Sequence, residues 1–88
     1  MSMAQTTKKK PYRRGSSFHR WLMLQIKRDD PIGDLARDVK IDHERRGKWP
    51  YAAVDREEYV QYLAYTGACI GACDALVEAW EEWTHSVL

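Results

Sequence analysis

No apolar run in the sequence approaches the roughly 18 residues that a bilayer-spanning helix requires. The basic beginning is not followed by an apolar signal core with a small-residue cleavage site. Cysteine is scarce. Cys69 and Cys73 stand four apart in a helical stretch, where the two side chains point the same way with poor geometry for a disulfide. There is no glycine-rich phosphate loop, no nameable pair of catalytic carboxylates, no internal repeat and no convincing strand pattern. These absences give the expectation of a reduced, cytoplasmic, non-membrane protein that is not an enzyme and needs no cofactor.

Aromatic residues, by contrast, are plentiful for 88 positions: four Trp, five Tyr and one Phe. A chain of this length is near the size at which one core begins to hold a fold, and each buried aromatic removes roughly 150–250 Å² from water. The formal charge of +1 conceals an asymmetry. Residues 1–14 carry five bases (Lys8, Lys9, Lys10, Arg13 and Arg14) and no acid, leaving nine bases against thirteen acids in the remainder. The first fifteen residues, polar and poor in large aliphatics, read as a disordered basic arm, and residues 16–88 as one helical domain.

Helix signals recur through that domain. Asp30-Pro31 is a strong start, with an N-cap acceptor before a proline at the first helical position, and Ile32, Leu35, Ala36 and Val39 form one apolar stripe running towards Asp42. Ser16 or Ser17 caps a preceding helix expected over Phe18–Lys27, whose broad apolar surface includes Trp21, Leu22, Met23, Leu24 and Ile26. His19 reads as a partly exposed flank residue of that helix. The short connection to Pro31 implies a sharp corner. HERRGKWPYAAV reads as a loop pinned to the core by Trp49. Asp55, with Glu58 three residues on, opens a third helix that Gly67 ends. A fourth, from about Ala68 to His85, aligns Cys69, Cys73, Leu76, Trp80, Trp83 and Val87 on one seam. The sum is an all-α, compact four-helix domain.

The runs SFHRWL, DDPIGDLARDV, WP, DREEYVQYL and EAWEEW, in that order from Ser17 to Trp83, resemble the YozE family of short bacterial proteins. The resemblance implies a sterile-alpha-motif-like (SAM-like) fold. It rests on packing and capping residues, and SAM-like domains in general serve protein association or nucleic-acid binding. The basic arm and the base-rich HERRGKWP stretch depart from the family pattern.

Two recognition functions follow. In the first, a weak nucleic-acid binder, Lys8, Lys9, Lys10, Arg13 and Arg14 contact phosphates, Tyr12 stacks on an unpaired base, and Arg45, Arg46 and Lys48 add to the footprint. In the second, a protein-interaction adaptor or inhibitor, the helical body binds a partner through acidic or aromatic residues, with Asp34, Asp38, Tyr65 and Trp83 as candidates. No metal site is expected. The stripe Asp30, Asp34, Asp38 and Asp42 lies along a straight helix, which cannot wrap four side chains around one cation, and Cys69 and Cys73 with His43 or His85 match no zinc-binding spacing. The sequence assigns no oligomeric state.

Overall fold

The computed structural model of the protein describes residues 15–68 and 70–86. Among them are four helices and no strand: α1 Ser17–Met23, α2 Pro31–Arg46, α3 Arg56–Tyr65 and α4 Ile70–Ser86. α4 packs against the other three, and α1 also meets α2. The core draws on every element, with Phe18 and Leu22 from α1, Ile32, Leu35, Ala36 and Val39 from α2, Tyr59 and Leu63 from α3, and Ala75, Leu76 and Ala79 from α4. Trp49, from the segment between α2 and α3, is only 2 % exposed and fills the core as expected. Phe18 lies at the centre of an aromatic cluster, with ring centroids 4.8 Å from Trp80, 5.2 Å from Tyr59, 5.7 Å from Trp83 and 6.1 Å from Trp21. These separations fall in the range where tilted and edge-on aromatic pairs attract.

Ser16 starts α1 and ties it to the far side of the fold. Its hydroxyl oxygen accepts from the His19 amide at 3.1 Å, and its own amide donates to the Tyr51 carbonyl at 2.7 Å. The Tyr59 hydroxyl gives its one hydrogen to the Ala53 carbonyl at 2.6 Å, so Ser16 Oγ, 2.8 Å from Tyr59 Oη, is the donor of that pair. The relay satisfies a helix N-terminus and a buried phenol together.

α1 is shorter than its apolar pattern suggests. It stops at Met23, and Leu24 and Gln25 bond back three residues to Trp21 and Leu22, tightening the chain into a turn. Leu24 is consequently 79 % exposed rather than part of a buried face. Two features hold the corner that follows. The Arg37 guanidinium donates to the carbonyls of Ile26 at 2.6 Å and Arg28 at 2.9 Å, satisfying acceptors that leave the helical pattern. Gly33 then lets the first turn of α2 lie against Arg28, where a Cβ would overlap the Arg28 carbonyl.

α2 begins as its caps dictate, with Asp30 accepting from the Gly33 amide at 2.9 Å and Pro31 at the first turn. It runs four residues beyond Asp42, through HERR, and ends at Gly47 in the left-handed region (φ 68°). Nothing before Gly47 breaks a helix, and the pairs Lys40–Glu44 and Asp42–Arg46 bridge the last turns at i,i+4 spacing. In α3, Asp55 caps through the Glu57 amide at 3.2 Å, and Gly67 (φ 80°) ends the helix as expected. In α4 the buried line is Ala75, Leu76 and Ala79. Cys73, Trp80 and Trp83 are half-buried beside it, and Cys69 and Val87 lie outside the described residues.

Gly33→Ala tests the corner. Alanine gains about 1 kcal/mol of helix propensity, yet the obstacle to its methyl is backbone, so a net loss of about 1–3 kcal/mol is expected. Urea unfolding checks the loss directly, and thermal unfolding registers it as a fall of about 4–8 °C per kcal/mol.

Candidate functional site

The basic residues fall into three groups. Lys8, Lys9, Lys10, Tyr12, Arg13 and Arg14 lie outside the described residues. Arg45 and Arg46 belong to the last turn of α2 rather than to a loop, and Lys48 follows the Gly47 cap. Arg46 Nε sits 3.2 Å from Asp42 Oδ1, so its charge is engaged, whereas Arg45 and Lys48 are exposed and make no ion pair among the described residues. Arg28 is occupied as well: it holds Asp30 at 2.7 Å and Glu82 of α4 at 2.5 Å, pairings that raise its pKa, the Glu82 bond contributing most. The Gly33 amide, and after it Arg28, hold the Asp30 carboxyl below the usual range.

Of the four aspartates along α2, three are spoken for. Asp30 caps the helix, Asp34 pairs with Arg37, and Asp42 accepts from the Tyr62 hydroxyl at 2.5 Å as well as facing Arg46. Burial, reinforced by Asp42, pushes the Tyr62 phenol up, so the Tyr62 hydroxyl keeps its proton. Asp38 is exposed and makes no ion pair among the described residues.

Asp38 stands on the rim of a groove between α2 and the start of α4. At one end is a pocket of about 200 Å³ floored by Leu35, Val39, Trp49 and Leu63 and rimmed by Asp42, Arg46 and Tyr62. At the other is a hollow of about 250 Å³ between Pro31, Asp34, Gly71 and Ala75. Leu35, Asp38 and Ala72 line both, so the two are adjoining parts of one depression. It exists because α4 begins with small side chains (Gly71, Ala72 and Ala75) opposite larger ones on α2. Sequence reasoning picked out Asp34 and Asp38 but missed this wall of small residues; the available signal was Gly71, Ala72 and Ala75 on one side of a helix otherwise lined with large groups. The aromatic candidates are not brought together. Tyr65, 88 % exposed, ends α3 near the start of α4, and Trp83 packs on Phe18 thirteen residues, about 20 Å, along α4.

A second feature corrects the reading of His19, which is buried (7 % exposed). Trp49 Nε1–H donates to His19 Nδ1 at 3.0 Å, which fixes the imidazole as the neutral tautomer protonated on Nε2. The His43 ring lies edge-on to it at 5.4 Å and tilts against Tyr51 at 4.9 Å, and His43 Nδ1 is buried without a hydrogen-bond partner among the described residues. Burial, with a smaller contribution from His43, lowers the pKa of His19. No group of three or more His, Cys, Asp or Glu among the described residues is placed to hold a metal ion. None of the helices there is long and apolar enough to cross a membrane.

A family model described as the YozE SAM-like fold matches residues 17–85. The chain belongs to the YozE SAM-like family. The match spans all of α1, α2 and α3 and all but the last residue of α4, and the basic arm precedes it. Membership of the YozE SAM-like family fixes the fold and brings no assigned activity with it. No curated protein and no solved structure matches the chain.

His19 gives a pH dependence of defined sign. The folded state holds the ring neutral while the unfolded chain takes up a proton near pH 6.5, so the unfolded state binds more protons below that pH. Stability is therefore expected to be level at higher pH and to fall as pH drops through 6.5, by at most about 1.4 kcal/mol per pH unit for the one proton. Thermal unfolding across this range checks it, and His19→Gln should flatten the slope between neutral pH and the onset of carboxylate titration.

Proposed function

We propose that the domain is a non-enzymatic protein-recognition module whose α2–α4 groove receives a segment of another protein carrying positive charge and one large apolar side chain. The observation that carries this reading is the sharing of Leu35, Asp38 and Ala72 by the two hollows, which sets an uncommitted carboxylate beside an apolar floor. An apolar cavity of about 150 Å³ holds a benzene ring, so the hollow over Trp49, at about 200 Å³, has room for one aromatic or aliphatic anchor. Asp38, with Asp34 one turn away, supplies the charge that orients an approaching cation and speeds its encounter. Such a contact is modest in area and suits a transient partner.

A second reading, weak nucleic-acid binding, is favoured by the five bases and absence of acid in residues 8–14, to which the exposed Arg45 and Lys48 add. Phosphate contacts of this kind carry no sequence information and weaken steeply with salt.

The two readings separate on Asp38. A labelled lysine-rich peptide with one central leucine is expected to bind the full chain, and Asp38→Lys is expected to weaken it about tenfold, equivalent to about 1.4 kcal/mol. Reversal of an acid remote from the groove, Glu57→Lys, serves as the control for net charge and should change the affinity far less. Equal losses from both variants would show attraction without a site. For nucleic acid, fluorescence anisotropy of labelled DNA and RNA at two salt concentrations should instead show binding that Asp38→Lys leaves intact or strengthens and that removal of residues 1–14 diminishes.

A further inference from the structure

We infer that the groove is occupied in the free protein by the chain's own segment Lys8–Arg14, acting as a built-in competitor for the partner. The inference rests on the groove reading and names the ligand that an outside partner has to displace. Three observations support it.

The first is charge. Segment 8–14 holds five bases and no acid, while residues 15–88 carry thirteen acids against nine bases. Most of the α2 carboxylates are already matched, and Asp38, on the rim of both hollows, is exposed and makes no ion pair among the described residues.

The second is proximity. Gly15 lies against the His19 ring, His19 is hydrogen-bonded to Trp49 at 3.0 Å, and Trp49 lines the hollow rimmed by Asp42, Arg46 and Tyr62. His19 and Trp49 thus connect the point from which the arm departs to the groove floor through the core. Seven residues reach up to about 25 Å when extended, a span on the scale of a helical domain this small.

The third is composition. The segment brings Tyr12 as its one aromatic group, flanked by Pro11 and bases, which is the pattern of charge and single anchor that the groove suits.

Pairs between exposed charges are weak and screened by salt, so the occupancy is reversible and a better ligand takes the site. The arm then sets a threshold: only segments that bind more favourably than a tethered competitor gain access.

Amide NMR spectra of the full chain test this. Lys8, Lys9 and Lys10 are changed together to Glu, outside the helical core, so the fold is not at risk. The expected result is movement of the Leu35, Asp38 and Ala72 signals, independent of protein concentration, with high salt moving the native signals in the same direction. Adding Asp34→Lys and Asp38→Lys to the lysine variant should bring back salt-sensitive contact. The lysine-rich peptide with its central leucine should bind the triple-Glu variant about tenfold more tightly than the native chain. Unmoved groove signals would overturn the inference, as would shifts that disappear on dilution, which would mean that the arm of a second copy is the occupant. Equal peptide affinity for native and variant chains rejects the arm as competitor while the groove reading stands. Failure of the peptide to bind either chain removes the groove reading and this inference with it.

Discussion

The close approach of backbone at Gly33 to the Arg28 carbonyl is the constraint on which the arrangement of helices depends. It permits α2 to start directly beneath the end of the α1 segment, with no side chain between them. The groups around it serve the same corner. Asp30 caps α2 and holds Arg28, Arg28 reaches across to Glu82 on α4, and Arg37 collects the carbonyls of Ile26 and Arg28. The apolar stripe of α2 then faces α1 and α4 at once. One end of α4 is drawn in by Glu82, while its other end, built of small residues, stands off from Leu35 and Val39 and leaves the groove.

A domain this small buries a limited fraction of its surface, and aromatic rings compensate. Phe18 alone meets four others. Their polar atoms are accommodated in turn: Tyr59 through Ser16 and Ala53, Tyr62 through Asp42, Trp49 through His19. Each buried donor left unpaired would cost about 1–3 kcal/mol, so these bonds matter most for what their absence would cost. The Trp49–His19 bond also accounts for the histidine on a face that seemed to belong at the margin. It is there to accept an indole proton, a role that depends on a residue thirty positions away.

That distinction explains what was legible in the sequence. Caps are local, and so Asp30-Pro31, Asp55 and Gly67 announced the helices they bound. Trp49 stood out as a large apolar group in a polar stretch, and it is in the core. The corner after α1 is held by Arg37, eleven residues beyond Ile26, so the pattern through Ile26 overstated the helix. The extension of α2 through HERR was missed because charged residues suggested a loop, although ion pairs one turn apart make that composition a good helix end. The groove was invisible for a further reason. A depression is a mismatch between two surfaces, and neither the small side chains of α4 nor the stripe of α2 reveals it alone.

Ser16 gives the basic arm a fixed origin. Its amide donates to the Tyr51 carbonyl and its hydroxyl bonds to Tyr59, so the chain is tied to the body at this point. Lys8–Arg14 stand two to eight residues before that anchor, a short tether to the helical surface. Short tethers of this kind create effective concentrations in the millimolar range. Under the proposed occupancy of the groove, such a tether keeps a displaced arm close at hand, so an outside partner competes against a ligand at high local concentration.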